Sequence, residues 1–242
     1  MHQAARRLGG IMLVWALILG FPVLACPAEP QVIKGQSSAA PPAPAADRAY
    51  EQGLKAVAGR DYDQGVKTLQ EAVRLKPESA AAHYQLGLAY AGRGETDKAV
   101  QSLEAALRLQ PGLTQAREKL GEIYGQRGLD LLRGGEPAQA EAQLKAALQQ
   151  NPRDDMAMSN LGVALGQQGR WDEAREAFQT AVDLNPNNAK AHFNLGLTCY
   201  LTGDKDGTTR QYALLSILDP EAATELFRFI QQTSAVATPF RF

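Results

Sequence analysis

The sequence predicts an all-α fold: a right-handed α-solenoid of antiparallel helix pairs, closed by a C-terminal capping helix. Three observations lead there. Prolines that follow Ala-rich amphipathic runs fall at Pro77, Pro111, Pro152, Pro186 and Pro220, separated by 34, 41, 34 and 34 residues, and a fixed period of this length marks a repeat array. The phrase "AHYQLGLAY" that begins at Ala82 returns as "AHFNLGLTCY" at Ala191. Glycine also recurs at one phase, as Gly53, Gly87, Gly128, Gly162 and Gly196.

Aligning the prolines gives five units, 46–79, 80–113, 121–154, 155–188 and 189–222, each reading as two helices. In the second unit, helix A covers about residues 80–93 and helix B about residues 97–109, with Gly94 between them. Gly135, Gly169 and Gly203 repeat that stop, and Gly59 is expected to serve one position early in unit one, because a helix end of this kind wants positive φ. Asp63, Asp97, Asp172 and Asp206 follow in the first turn of helix B, where a carboxylate complements the exposed N–H groups.

Small residues recur at the glycine position of helix A and at two positions of helix B, Gly65, Ala99, Ala140, Ala174 and Thr208 and then Ala72, Ala106, Ala147, Ala181 and Leu215, and mark the contacts of an antiparallel pair, because only small side chains let two helices approach closely. Larger residues, Leu86, Leu161 and Leu195 from helix A and Leu69, Leu103, Leu144 and Phe178 from helix B, fill the space between pairs. No unit closes a core alone, so the units must stack. The seven extra residues before unit three stay periodic and contain no proline. A heptad falls about 20° short of two whole turns, so it lengthens helix A without turning its apolar face away; one helix over about residues 114–133 is expected. The run "ATELFRFI" supplies a capping helix over about residues 221–231, and residues 232–242 form a tail.

The N-terminus reads differently. Arg6 and Arg7 precede an uncharged apolar run at residues 11–25, the order of a secretory signal, and the run is shorter than the roughly 20 residues a spanning helix needs. "VLAC", ending at Cys26, resembles the bacterial lipoprotein box, which implies lipidation of Cys26; plain cleavage and an uncleaved anchor are the alternatives. Residues 26–45, rich in Pro, Ala and Ser, then act as a tether. These readings imply a protein exported to the periplasm and anchored to a membrane as a lipoprotein.

Composition and motifs argue against catalysis. Charges are mixed, 25 basic against 26 acidic, with no basic stripe for nucleic acid. Two cysteines rule out a disulfide framework, and Cys199 sits in an apolar helical run as a small buried hydrophobe. No metal-spaced cluster, nucleophile motif or phosphate-cradling loop occurs, so no cofactor, metal or catalytic residue is expected.

The period, the small–apolar–small signature, the closing proline and phrases such as "NLGVALGQQGRWDEAREAFQTAVDLNP" from Asn160 resemble tetratricopeptide repeats over about residues 46–222. The resemblance explains His83 and His192 as occupants of a helix A position often given to tryptophan. It also implies a concave groove lined by the fifth and ninth positions of each unit: Tyr50 and Leu54, Tyr84 and Leu88, Gly125 and Leu129, Ser159 and Val163, Phe193 and Leu197. That apolar, partly aromatic surface suits an extended or helical polypeptide. The clamp by which some members hold chaperone tails is not matched: Asn160 and Lys190 agree, but Asn194 replaces a basic residue, and Gly125 and Leu129 replace Lys and Asn. The expectation is a non-catalytic protein–protein interaction scaffold that serves assembly of an envelope complex, by analogy with lipoproteins acting on pili, secretins or outer-membrane proteins. The rivals are a structural protein that associates with itself through exposed repeat faces or through the aromatics of "TPFRF" at residues 238–242, and after it an unrecognised enzyme whose site is assembled from residues far apart in sequence.

Overall fold

In the computed structural model, residues 44–232 are described; the apolar run at residues 11–25, Cys26, most of the tether and the tail lie outside them. The described residues form α-helices and no strand: α1 (Ala45–Ala58), α2 (Tyr62–Leu75), α3 (Ala80–Gly92), α4 (Thr96–Leu109), α5 (Thr114–Arg133), α6 (Pro137–Gln150), α7 (Asp155–Gln167), α8 (Trp171–Leu184), α9 (Ala189–Leu201), α10 (Lys205–Leu218) and α11 (Pro220–Gln232). Odd and even members pair, each pair packs on the next, and α11 lies against both α9 and α10. This is a solenoid of stacked hairpins.

Local chemistry sets the helix boundaries. Asp61, Ser79, Asp154, Asn188, Asp204 and Asp219 each accept, through a side-chain oxygen, from the backbone N–H three residues on, at 2.8–3.2 Å. Such caps satisfy an N–H that the helix leaves without a partner. Between the helices of a pair the chain closes a six-residue ring, as in the bonds Glu95 N to Tyr90 O at 2.9 Å and Arg170 N to Leu165 O at 3.0 Å. Closing that ring demands a left-handed residue just before the new helix, and Gly94, Gly135, Gly169 and Gly203 supply it with φ between 75° and 81°.

Unit one corrects the expectation for Gly59. The ring there runs from Asp61 N to Ala56 O at 2.9 Å, so the left-handed position falls on Arg60, with φ 61°. Gly59 stays in the right-handed region at φ −79°.

The phased glycines are where the paired helices meet, but the side chains over them are large rather than small, which corrects the expectation that Leu69, Leu103, Leu144 and Phe178 serve only to fill the space between pairs. A Cβ added to Gly53, Gly87, Gly128 or Gly162 would lie 2.4 Å from Leu69, 2.8 Å from Leu103, 2.5 Å from Leu144 or 2.6 Å from Phe178. The partner is sixteen residues on in every case. All four partners are fully buried.

α5 is a single 20-residue helix that holds two registers. Its first half continues unit two's phase, since Tyr124 donates to Glu104 Oε1 at 3.1 Å just as Gln70 donates to the hydroxyl of Tyr90 at 2.7 Å, each pair twenty residues apart. Ala116, Leu120 and Ile123 of that half join a core cluster with Leu86, Tyr90 and Leu103. The second half starts a new phase, with Gly128 over Leu144 and Leu132 in a second cluster with Leu161 and Phe178. Tyr124 packs against both clusters.

Candidate functional site

The groove-lining positions divide between the two halves of the array. Tyr50 and Leu54 on α1, Tyr84 and Leu88 on α3, and Leu129 on α5 are half-buried, each offering part of its side chain to solvent. Ser159 and Val163 on α7 and Phe193 and Leu197 on α9 are buried, Val163 and Leu197 completely. The expectation that these last four form accessible groove surface is therefore corrected. The cause is packing between successive helices of the A layer: Val163 joins the cluster of Leu132, Leu161 and Leu195, while Phe193 and Leu197 join one with Leu215, Ala222, Ala223 and Leu226 that α11 covers.

The open part of the lining thus belongs to α1, α3 and α5. Its electrostatics come from α5. Burial pushes the Tyr84 hydroxyl pKa above its ordinary value; Lys119 opposes that shift, and Glu118 and Glu122 add to it. These three residues were not among the sequence-based positions, because the groove register was counted from Gly121, where unit three begins. The signal was present in the sequence as the alternative phase: counted from Thr114, one period after Ala80, Glu118 and Glu122 fall at the fifth and ninth positions.

The two histidines among the described residues are tied to backbone. His83 Nε2 lies 2.9 Å from the carbonyl of Pro77, and His192 Nε2 lies 2.9 Å from that of Pro186. Arg117 plays the same part in α5, donating to the carbonyl of Pro111 at 2.6 Å. In all three the side chain reaches back six residues to the closing proline of the previous unit and fixes the turn between units. His192 is almost wholly buried, and its Nδ1 is 2.7 Å from Gln211 Oε1. Cys199 is buried at 4% exposure, and burial raises its thiol pKa. Among the described residues, no group of three His, Cys, Asp or Glu side chains is arranged to hold a metal ion. No helix there is long and apolar enough to cross a membrane.

The tetratricopeptide repeat model matches residues 50–114 and 126–174, and a TPR repeat model matches residues 164–203, which together span more than half of the chain. The chain belongs to the tetratricopeptide repeat family. Similarity to curated proteins is partial. The chain is 32% identical over 90 residues to Superkiller complex protein 3 of Mus musculus, covering 37% of this chain and 6% of that protein. It is 31% identical over 87 residues to the peroxisomal targeting signal receptor of Candida glabrata, covering 34% of this chain and 14% of the receptor. The chain therefore corresponds to a small part of each. Among solved structures, YrrB, described as a TPR protein with an unusual peptide-binding site, superposes with a TM-score of 0.51 at 21% identity, over 76% of this chain and 92% of that one. MamA 41-end from Desulfovibrio magneticus RS-1 superposes with a TM-score of 0.50 at 24% identity, over 73% and 96%. These likenesses establish the fold. As a tetratricopeptide repeat array, the protein is a scaffold for protein–protein interaction, a fold that typically serves without catalysis.

Proposed function

We propose that the protein is a non-catalytic scaffold, exported and tethered to a bacterial membrane through a lipid on Cys26, that holds a partner polypeptide during assembly of an envelope complex. The observation that carries the binding part is the half-buried lining made by Tyr50, Leu54, Tyr84, Leu88 and Leu129. Aromatic and aliphatic side chains fixed on packed helices, with part of their surface still in water, suit apolar anchors of an incoming chain. Glu118 near Tyr84 suits a basic residue next to those anchors, while Glu122 is already paired with Lys119 at 2.7 Å. One acyl chain and a spacer rich in Pro, Ala and Ser would confine the array to a thin layer above the membrane and raise the effective concentration of a membrane-bound partner. The assembly role is analogy with lipoproteins of similar architecture.

A photo-crosslinking residue at Tyr84 in living cells should capture one or a few envelope proteins, and the same probe at Ala142, exposed on α6, should not. Equal capture at both positions rules out the groove. Cys26→Ser should move the protein from the membrane to the soluble envelope fraction; unchanged fractionation rules out the lipid.

A further inference from the structure

Every helix B residue that seats under the helix A glycine in units one to four, Leu69, Leu103, Leu144 and Phe178, is fully buried. Tyr212, at the same phase in α10, is not; it stands 38% exposed. The reason lies in α11. Above Gly196 the space is taken by Leu226 Cδ2, 2.8 Å from where a Cβ would be, and by Gln211 Cβ at 3.0 Å, and Gln211 is held there by His192. Tyr212 is displaced outward. With Tyr200, Thr208, Thr209, Phe227 and Ile230 it lines an open cleft of about 440 Å³ between α9, α10 and α11.

This cleft leaves apolar surface at the end of the array, where a solenoid ordinarily presents a polar face. Phe227 is 49% exposed and lies 6.0 Å from Tyr212, ring centroid to ring centroid. We propose that the occupant is the protein's own tail, residues 233–242, with Phe240 and Phe242 seated in the cleft against Tyr212 and Phe227. Three facts favour the tail over another molecule. It starts three residues along the chain from Ile230, a lining residue. It is long enough: the eight residues from Gln232 to Phe240 span up to about 28 Å when extended, and Phe227 is only about 7.5 Å back along the helix axis. Its composition, "TSAVATPFRF", has one charge and two phenylalanines, and Pro239 restricts the backbone just before the first. A covalent connection this short holds its end at an effective concentration of the order of millimolar, so weak intrinsic affinity suffices.

The test uses the full chain with a benzophenone side chain in place of Phe240, mixed as equal parts of isotopically heavy and light protein. Illumination should crosslink Phe240 to Tyr212, Phe227 or Ile230 within one chain. Thr209→Glu, which puts a carboxylate at the rim on an exposed residue, should lower that yield about ten-fold by burying an unpaired charge. Heavy-to-light crosslinks at the cleft overturn the proposal in favour of a second copy. Crosslinks elsewhere, or none, overturn it outright.

Discussion

Gly162 meets the edge of the Phe178 ring so closely that a Cβ on the glycine would sit 2.6 Å from Cε1. The ring has no exposed side to retreat to, being fully buried. Alanine is the better helix former by about 1 kcal/mol, but forcing a methyl into packed atoms costs about 1–3 kcal/mol. The clash wins. Gly162→Ala should lower the urea midpoint by an amount equivalent to up to about 2 kcal/mol. Gly125→Ala is the control, because nothing lies within 4 Å of its added Cβ; it should stabilise by about 0.5–1 kcal/mol.

Arg60 occupies a position that the other turns give to glycine. Left-handed backbone costs a side-chain-bearing residue about 1–2 kcal/mol, partly offset by the extra freedom glycine brings to the unfolded chain. Arg60→Gly should therefore stabilise by about 0.5–1 kcal/mol, seen as a rise of about 2 °C in the melting temperature. Gly94→Ala, at φ 79°, should shift it the other way.

Units three and four are joined through Glu141. Its carboxylate accepts from Lys145 at 2.6 Å, Gln168 at 2.9 Å and Arg170 at 2.7 Å, and is 12% exposed. Lys145 first, then Gln168 and Arg170, outweigh burial and hold its pKa down at about 2. A group whose pKa is depressed by folding stabilises above its unfolded value and loses that contribution as pH falls through the folded one. Glu141→Gln should thus cost on the order of 1 kcal/mol at pH 7. The gap from the unmodified protein should close between about pH 4.5 and pH 2. A gap that stays constant across that range would exclude this linkage.

Deleting residues 121–127 joins "TQAREKL" directly to "GLDLLR" and restores the regular period. Seven residues make almost two turns, so both faces of the shortened α5 keep their direction. The variant should remain folded, with less helix by circular dichroism and a lower melting temperature from the loss of Ile123 and Tyr124. Deleting five residues, 121–125, turns the second half by about 140° and should abolish cooperative unfolding.

Helix order, the turn glycines of units two to five and the long helix were legible in the sequence because each depends on residues near one another along the chain: a glycine between the two helices of a pair, a proline closing each unit, a heptad that preserves phase. The groove was legible only in part. Position within a unit gives the direction a side chain leaves its helix, but not whether the next helix lies over it. Val163 and Leu197 leave in the expected phase and are covered by their neighbours. Tyr212 shows the converse. Its phase matches Phe178 and marks it for the core, but Leu226, from beyond the last unit, takes the space first.

The two-register helix α5 has a consequence for synthesis. Once its first half has left the ribosome, the opening hairpins already have every member of their apolar cluster from Val66 to Ile123. Nascent chains can thus shelter their earliest hydrophobic surface while α6 is still being translated, which shortens the interval in which chaperones or neighbouring polysomes encounter it.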